Sequence, residues 1–349
     1  MKSVLYHRIF EGKPFGHGGE RRALQMQELM EQANVECHYY PLRGENGCRP
    51  LWTLWLIFKT YGWRLLLHPK HLWRTFRFIN NNYTQNLRRF FERPEKTLLV
   101  EGTIEEFLVL FPLAQRYGKQ VIAFPHNLES MVPKTNYLIG RNEKWQTFRN
   151  EIRWLKTCKE VYCIAEEETW LLRLWGVNSH YLPYEPPHET KTYLANIASE
   201  RNHRKQNTPL KILMTGSAIN PPTAQGMQRV IDEWNAMEEL LCGVELIIAG
   251  YGTDENLRIT EGKTIRLLGA LTDEQMREEM ILCDAMLIYQ PPTTGALTRI
   301  REAQIAHIPV IANFDAARSY HRAPLLFEYQ SLQQLPAIIK QLSTRNAYV

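Results

Sequence analysis

Short apolar segments alternate with segments of helical periodicity along almost the whole chain, and this alternation restricts the fold more than any other feature. In the first half the apolar segments are 4–9, 35–40, 98–101, 120–124, 161–165 and 180–183. In the second half they are 211–215, 244–249, 265–268, 285–289 and 310–313. Helical periodicity lies between them, as in 21–32, 104–117 and 166–175. Strand followed by helix, repeated, predicts parallel sheets with helices on both faces.

The length of the chain indicates two such sheets. Its 349 residues exceed what a single hydrophobic core usually organises. The alternation is interrupted at 185–208, where Pro186-Pro187 precedes the charged stretch "SERNHRKQN". That composition is typical of an exposed connection. We therefore predict an α/β protein with two doubly wound, Rossmann-like domains, 1–187 and 209–349, joined by a linker at 188–208.

The composition excludes several classes of protein. A content of 44% hydrophobic and 23% charged residues is typical of a soluble globular protein and not of a disordered one. No apolar run reaches the roughly 18 residues of a membrane-spanning helix, and the N-terminus lacks a signal-peptide core. The six cysteines have neither Cys-x-x-Cys spacing nor a paired framework, which favours free thiols in a reducing compartment. The expected location is the cytoplasm.

The first candidate ligand loop is "GHGGERR", residues 16–22, which follows the first predicted strand. Ligands bind at the carboxyl ends of parallel strands in such sheets. Glycines let the backbone approach an anion, and the following helix directs its N-terminal amides the same way. Arg21 and Arg22 would add charge-assisted contacts to a phosphate. The loop lacks the dinucleotide-binding fingerprint, so an ordinary glycine-rich turn is the alternative.

A second group of candidate loops lies in the second half. The segment "TGSAINPPTAQG" (215–226) follows a strand and opens a helix, and "IIAGYG" (247–252) ends another strand. The segment "PPTTGALTRIREAQIAHIPVIAN" (291–313) predicts a turn at Gly295, a helix and a buried strand. On that helix Arg299 and Glu302 lie three residues apart and share a face. The helix N-terminus is a candidate phosphate site, and the carboxylate further along could accept hydrogen bonds from a ribose diol. A solvated surface ion pair is the alternative for these two residues.

In this order the segments resemble those of the GT-B glycosyltransferases, and among them the large family-four group that uses nucleotide-sugar donors. The resemblance covers nearly the whole chain. "HGGERR" resembles their N-terminal glycine loop, and "VIAFPHNLES" (121–130) resembles the strand end that carries their active-site histidine. "CIAEEETWLLRLWGV" resembles the segment before the crossing between domains, and "TGSAINPPTAQGMQRVIDEW" the first strand and helix of the donor domain. The resemblance implies two Rossmann-like domains that face each other across a cleft.

The resemblance also implies roles for individual residues. In the donor-binding helix, Glu302 would hold the ribose. The full set of implied donor-binding residues is Gly18, Gly19, Arg21, Gly216, Ser217, Asn220, Gly250, Gly295, Ala296, Arg299 and Glu302. Catalytic roles fall to His126, which would contact the sugar or the acceptor, and to Glu129, which would orient the acceptor. The alternatives are a neutral core histidine for His126 and an ordinary surface carboxylate for Glu129; His17 is a lesser candidate.

The chain departs from the family pattern at three positions. Family members often have a second glutamate eight residues before the ribose-binding one, and this chain has Thr294 there. They often have an arginine and a lysine where this chain has Ser217 and Asn220. Neutralisation of a diphosphate would then depend on Arg299, on Arg301 or Arg318, or on the N-terminal arginines.

These features together predict an enzyme, a glycosyltransferase that moves a sugar from a nucleoside-diphosphate donor to a saccharide acceptor. The resemblance implies retention at the anomeric carbon and catalysis without a bound metal, and the sequence has no Asp-x-Asp pair, since Asp254 and Asp284 are isolated. No cofactor is expected beyond the donor substrate. Two alternatives stay open: a nucleotide-sugar 2-epimerase on the same scaffold, and a non-catalytic protein that binds nucleotide sugars.

A basic, tryptophan-rich insertion at 50–94 has no place in this minimal scheme. Residues 51–93 contain eight lysines and arginines against one glutamate, a net charge of +7 in a chain whose total is +5. Four tryptophans lie among them: Trp52, Trp55, Trp63 and Trp73. Basic residues interleaved with tryptophan and leucine are typical of an interfacial membrane surface, which would suit a lipid-linked acceptor in the synthesis of cell-surface polysaccharide or glycolipid. A helical pair that buries its tryptophans is the alternative; a nucleic-acid partner is not expected, because the chain has no nucleic-acid-binding module.

Overall fold

Parallel strands organise the chain. The computed structural model describes residues 2–40, 50–63, 65, 68–83, 85–132, 147–204, 208–259, 264–320 and 323–345. Within these residues the strands form two six-stranded sheets in which every pairing is parallel. The chain divides into two compact units: the first is Met1–Glu185 with Thr294–Ala296, and the second is Pro186–Thr293 with Leu297–Val349. The predicted α/β fold with two Rossmann-like domains is confirmed.

The first unit contains a sheet with strand order β2-β1-β3-β4-β5-β6. Its strands are β1 (Lys2–His7), β2 (Val35–Tyr39), β3 (Thr97–Glu101), β4 (Gln120–Phe124), β5 (Glu160–Cys163) and β6 (Ser179–Tyr181). Its helices are α1 (Gly18–Gln32), α2 (Pro50–Tyr61), α3 (Pro69–Asn82), α4 (Gln85–Glu92), α5 (Leu110–Arg116), α6 (Phe148–Leu155) and α7 (Glu166–Leu174). Short 3₁₀ turns at Glu105–Val109 and Glu129–Met131 follow β3 and β4.

The two faces of this sheet bury separate hydrophobic clusters. Leu5 belongs to one cluster, while its neighbours Val4 and Tyr6 belong to the other. Because successive side chains of a strand point to opposite faces, this division shows that helices cover both sides of the sheet. The sheet is therefore doubly wound, as the alternation in the sequence predicted.

The predicted helix at 104–117 is divided in the structure. Glu105–Val109 is a 3₁₀ turn, and the α-helix begins only at Leu110. Pro112 lies in the first turn of α5, where its missing N–H does no harm, but an α-helix running through it from 104 would lose a backbone hydrogen bond.

The insertion is part of the first core. Helices α2, α3 and α4 place Leu56, Ile57, Ile79, Leu87 and Phe91 in the same cluster as β3 and β4. The insertion is therefore a helical layer that packs on one face of the sheet.

The second unit has the strand order β12-β11-β10-β7-β8-β9. Its strands are β7 (Leu210–Thr215), β8 (Val244–Ala249), β9 (Ile265–Gly269), β10 (Ala285–Ile288), β11 (Val310–Asn313) and β12 (Leu326–Tyr329). Its helices are α8 (His188–Arg201), α9 (Pro221–Ala236), α10 (Thr253–Asn256), α11 (Asp273–Leu282), α12 (Thr298–Ile305), α13 (Phe314–Ala317) and α14 (Leu335–Arg345). Alternate residues again divide between two cores, with Ile212 and Met214 in one and Leu213 in the other. Strand β12 was not predicted from the sequence.

The expectation of an exposed connection at 188–208 is wrong for most of that segment. Residues 188–201 form α8, which buries Leu194 and Ile197 in a core of the second unit. Arg201 is also buried, and its guanidinium donates to the carbonyls of Met280 and Cys283, each at 2.7 Å. The charged composition suggested exposure, but Arg201 is buried and helps to hold α8 in place.

Candidate functional site

The strand orders define where each sheet can bind a ligand. In open parallel sheets the ligand crevice lies outside the carboxyl ends of the strands, where the connections diverge to opposite sides. In the first unit this point lies between β1 and β3, and in the second unit it lies between β7 and β10. The loops that follow these four strands, together with their neighbours, are the candidate site of each unit.

The loop after β1 is closed by its own side chains. His17 is the N-cap of α1: its Nδ1 accepts from the amides of Gly19 at 3.1 Å and Glu20 at 3.4 Å, while Glu20 accepts from the His17 amide at 2.9 Å. Burial lowers the pKa of His17, which favours the neutral ring that this capping requires. Gly19 packs against Phe10, since a Cβ at Gly19 would lie 2.6 Å from the Phe10 ring. The cap therefore uses the amides that the sequence assigned to a phosphate.

The two arginines of this loop differ. Arg21 is half-buried on α1. Arg22 is buried, and its guanidinium donates to the carbonyls of Leu182 at 2.9 Å and Pro183 at 3.1 Å. In the structure this side chain fixes α1 to the segment after β6, and its contact with a phosphate stays a prediction.

A histidine–carboxylate pair lies at the ends of β3 and β4. The Nε2 atom of His126 is 2.8 Å from Oε1 of Glu101, the last residue of β3. Glu101 is fully buried, and its Oε2 has no hydrogen-bond partner among the described residues. A carboxylate at this distance fixes the orientation of an imidazole ring. The His126 ring is therefore held in a defined orientation at the carboxyl edge of the sheet. Sequence reasoning missed Glu101, an acid that directly follows the apolar run "TLLV".

The segment that carries His126 and Glu129 is anchored from below by Glu151 of α6. The Glu151 carboxylate accepts from the amides of Glu129 at 3.1 Å and Ser130 at 3.0 Å, from the Ser130 hydroxyl at 2.5 Å and from the Thr103 hydroxyl at 2.6 Å. Burial raises the pKa of Glu151 to about 6, although these hydrogen bonds act in the opposite direction. Glu129 itself accepts from the Asn127 side-chain amide at 3.0 Å. Glu151 was also missed from the sequence.

The segment Thr294–Ala296 belongs to the first unit and lies against the same residues. The Gly295 amide donates to the buried carboxylate of Glu168, and the Thr294 hydroxyl donates to the Leu128 carbonyl at 3.2 Å. Gly295 has a positive φ of 80°, and a Cβ there would overlap the Asn127 side chain. Ala296 packs beside Ile164, Ala165 and Tyr184. The structure therefore brings Gly295 and Ala296 together with the His126 segment.

In the second unit the loops after β7 and β8 are in direct backbone contact. Gly250 has a φ of 139°, and a Cβ at this position would overlap the carbonyl oxygen of Gly216. The amide of Ala218 donates to the carbonyl of Tyr251 at 2.8 Å, which joins the same two loops further on. Gly216 is also closely packed, since its Cβ would lie 2.8 Å from Met227 and 3.1 Å from a guanidinium nitrogen of Arg299. Position 250 therefore requires glycine, while Gly216 is closely surrounded by the ends of three side chains.

Helix α12 presents Arg299 and Glu302 beside these loops. The Arg299 guanidinium donates to the carbonyl of Thr215, the last residue of β7. Burial lowers the pKa of Arg299, and the neighbouring Glu302 carboxylate opposes this effect. Glu302 is itself buried, so the alternative of a solvated surface pair does not apply. The structure thus brings Gly216, Gly250, Arg299 and Glu302 into one neighbourhood.

Two asparagines fix the chain after β7 and after β10 in the second unit. Asn220 is the N-cap residue of α9, and its side chain donates to the Thr223 hydroxyl at 3.2 Å. Asn313, at the end of β11, accepts from the Gln290 amide at 2.9 Å and donates to the Gln290 carbonyl at 2.8 Å. Asn313 therefore fixes the chain as it leaves β10; the sequence analysis did not single it out. Ser217 is half-buried beside Gly216.

In the part of the chain that the structure describes, no group of three or more histidines, cysteines, aspartates or glutamates is arranged to hold a metal ion. Nor is any described helix long and apolar enough to cross a membrane.

Comparison with known proteins rests on structure, because neither a protein-family model nor any curated protein matches the sequence. Sucrose-phosphate synthase from Thermosynechococcus elongatus superposes with a TM-score of 0.63 and 14% identity, covering 99% of this chain and 91% of that one. Alr3699/HepE from Anabaena, in complex with UDP, superposes with a TM-score of 0.59 and 14% identity over 99% of this chain and 91% of that one. Trehalose 6-phosphate synthase from Burkholderia multivorans gives a TM-score of 0.56 and 11% identity, with 99% and 92% coverage.

The chain has the GT-B fold. The resemblance proposed from sequence motifs is thus supported at the level of the fold over almost the whole chain. The first unit contains the His126–Glu101 pair, and the second unit contains the glycine contact with Arg299 and Glu302.

Proposed function

We propose that this protein is a glycosyltransferase that moves a sugar from a nucleoside-diphosphate-sugar donor to a saccharide acceptor. The observation that carries the proposal is the second unit's carboxyl edge, where two closely packed glycine loops lie beside a buried glutamate and an arginine. Structures of the same fold support it, because Alr3699/HepE has been solved with UDP and with UDP-glucose. We further propose that the reaction retains the anomeric configuration, needs no metal and serves the synthesis of cell-surface polysaccharide or glycolipid.

The donor half of the reaction is assigned to the second unit. The N-terminal end of α12 lies beside the loops of Gly216 and Gly250, and its helix dipole favours a negatively charged diphosphate there. A guanidinium has five N–H donors, so Arg299 can serve the Thr215 carbonyl and a phosphate oxygen together. These groups would stabilise the charge that develops on the leaving diphosphate. Glu302, buried one turn into α12, would accept from the ribose hydroxyls.

The acceptor half is assigned to the first unit. Glu101 holds the His126 ring at 2.8 Å, so that its other nitrogen can bind a sugar hydroxyl or relay its proton. Glu151 fixes the backbone of Glu129 and Ser130, which holds the Glu129 carboxylate ready to orient the acceptor. A rigid support of this kind is what a positioned catalytic group requires.

Nucleotide binding tests the proposal directly. We expect UDP, or another nucleoside diphosphate from a panel, to raise the melting temperature in EDTA as well as in Mg²⁺. At a hundredfold excess over the dissociation constant the stabilisation is about 2.7 kcal/mol. Stabilisation that requires a divalent metal would contradict metal independence, and no response to any nucleotide would refute the proposal.

Glu302→Gln identifies the ribose contact. Loss of a charged acceptor is expected to weaken nucleotide binding by about 1–3 kcal/mol, and to abolish discrimination between ribose and deoxyribose nucleotides. Glu274→Gln, an exposed position on α11, is the matched control and should bind normally. If the Glu302 variant keeps full affinity and discrimination, the assignment is wrong. Turnover of the donor with a saccharide panel then separates transfer from binding alone.

A further inference from the structure

The corner between α2 and α3 exposes aromatic and basic side chains together. We define the α2–α3 corner as Lys59, Trp63, Lys70, Trp73 and Arg77. Trp63 is 66% exposed and Trp73 is 61% exposed, whereas the neighbouring Trp52 and Trp55 pack against the core of the first unit. The insertion therefore uses two of its tryptophans for packing and presents the other two to solvent.

Helix α3 arranges these residues in a stripe. Lys70, Trp73 and Arg77 are all exposed and follow one another at helical spacings of three and four. The opposite side of the helix buries Thr75 and Ile79. Residues at these spacings share a face, so a cation, an indole ring and a second cation lie in one line along the outside of α3. Trp73 also stacks on Phe76, with ring centroids 5.9 Å apart, which holds the indole in a defined orientation.

Lys59 and Trp63 extend the exposed surface across the turn after α2. Lys59 lies in the last turn of the helix and is exposed, and Trp63 follows the helix-ending Gly62. No aspartate or glutamate occurs anywhere between residues 51 and 91 of the sequence. A protein surface that lacks acids over such a length, yet carries exposed indoles, is unusual for a solvated helix, which normally mixes both signs of charge.

We propose that the α2–α3 corner binds an anionic lipid surface, as at the inner face of a cell membrane. Indole rings partition to the headgroup region, where their apolar body is buried and the N–H stays hydrated, while lysine and arginine pair with anionic headgroups. Nucleic acid would use the cations equally well, but basic residues interleaved with exposed tryptophans on one helix face are typical of an interfacial membrane surface. The inference is independent of the proposed sugar transfer, although a lipid-linked acceptor would be presented at the same surface.

Sedimentation of the full chain with vesicles tests the inference. Vesicles of phosphatidylcholine with 0, 20 and 40% phosphatidylglycerol are the probe. We expect binding that rises with the anionic fraction and falls with salt. The Lys70→Glu/Arg77→Glu variant should bind at least about 30-fold more weakly, the effect of losing two basic residues near such a surface. Arg74 lies on the same helix, but its side chain is half-buried, so its reversal would disturb the packing of α3.

The tryptophans are tested separately. Trp63→Ala/Trp73→Ala should weaken binding at least about tenfold, because about 60 Å² of newly buried apolar surface changes a partition constant by that factor. Lys156→Glu/Lys159→Glu and Trp170→Ala change exposed residues outside the insertion, and both should bind as the wild type does. Nucleotide stabilisation should be unchanged in all variants.

Three outcomes would overturn the inference. One is equal binding to neutral and anionic vesicles, and a second is binding that the control variants reduce as much as the corner variants do. The third is retention of single-stranded RNA at a salt concentration that releases the vesicles, which would assign the corner to nucleic acid. Unchanged melting temperatures of the corner variants exclude misfolding as the cause of lost binding.

Discussion

The burial of Glu151 predicts how the free energy of unfolding depends on pH. Its carboxylate is fully buried beneath the segment that carries His126, and burial raises its pKa from 4.5 to about 6 in spite of four hydrogen bonds. Replacing it with glutamine keeps the size and an acceptor oxygen but removes the titration.

The sign of the effect follows from linkage. Because the folded-state pKa is the higher of the two, the folded protein binds the proton more tightly than the unfolded chain. The stabilisation from this group is therefore complete below about pH 4.5 and is lost as the pH rises through about 6. The change in pKa from 4.5 to about 6 corresponds to about 2 kcal/mol. The free energy of unfolding of Glu151→Gln, measured relative to the wild type, should accordingly rise by about 2 kcal/mol between pH 4 and pH 7.5.

Urea unfolding at a series of pH values measures this difference. Contributions of the other carboxylates cancel when variant and wild type are compared at each pH. Glu166→Gln, at an exposed position of α7, is the control. It should show a difference that is flat with pH to within about 0.5 kcal/mol, as is usual for a surface substitution. A flat difference for Glu151→Gln as well would refute the reasoning, since the carboxylate would then titrate as it does in the unfolded chain.

Two further predictions concern the site residues. Gly250→Ala should destabilise the second unit by more than about 3 kcal/mol in urea unfolding, because its Cβ would overlap the Gly216 carbonyl. The control Gly243→Ala, also at positive φ but with open space around it, should lose only about 1–2 kcal/mol. Equal losses in the two variants would contradict the close loop contact. Glu101→Gln should lower the rate of the proposed sugar transfer about 10- to 100-fold, which is the contribution of one charge-assisted hydrogen bond to His126. Nucleotide binding should be unchanged. An unaltered rate would show that the His126–Glu101 pair takes no part in the reaction.

The sequence predicted the sheets well because their signal is local. A central apolar run such as 211–215 is buried on both faces, and its residues alone indicate a strand in a parallel sheet. Strand β12 was not predicted because its apolar run is short and interrupted: Leu326 and Phe327 are half-buried, Glu328 is exposed, and only Tyr329 is buried. An edge strand with such a pattern resembles a loop in a sequence.

The candidate site was predicted less completely, and the reason is physical. Glycines 216, 250 and 295 could be found because a tight backbone approach demands that residue type within a short segment. Glu101 and Glu151 could not, because their partners lie 25 and about 20 residues away along the chain. An acid in a strand end or a helix looks the same in the sequence whether it is solvated or buried.

Burial of carboxylates in the first unit is therefore informative in itself. Glu101, Glu151 and Glu168 are each at most 3% exposed, and removing a carboxylate from water costs free energy that apolar side chains of similar size would not cost. Each of them accepts a hydrogen bond from the same neighbourhood: Glu101 from the His126 ring, Glu151 from the Ser130 segment and Glu168 from the Gly295 amide. None of these three bonds joins one strand of the sheet to another. The free energy spent on burying these carboxylates is explained if they fix the position of the His126 segment. The proposed sugar transfer requires this, because a reacting sugar must be held in place.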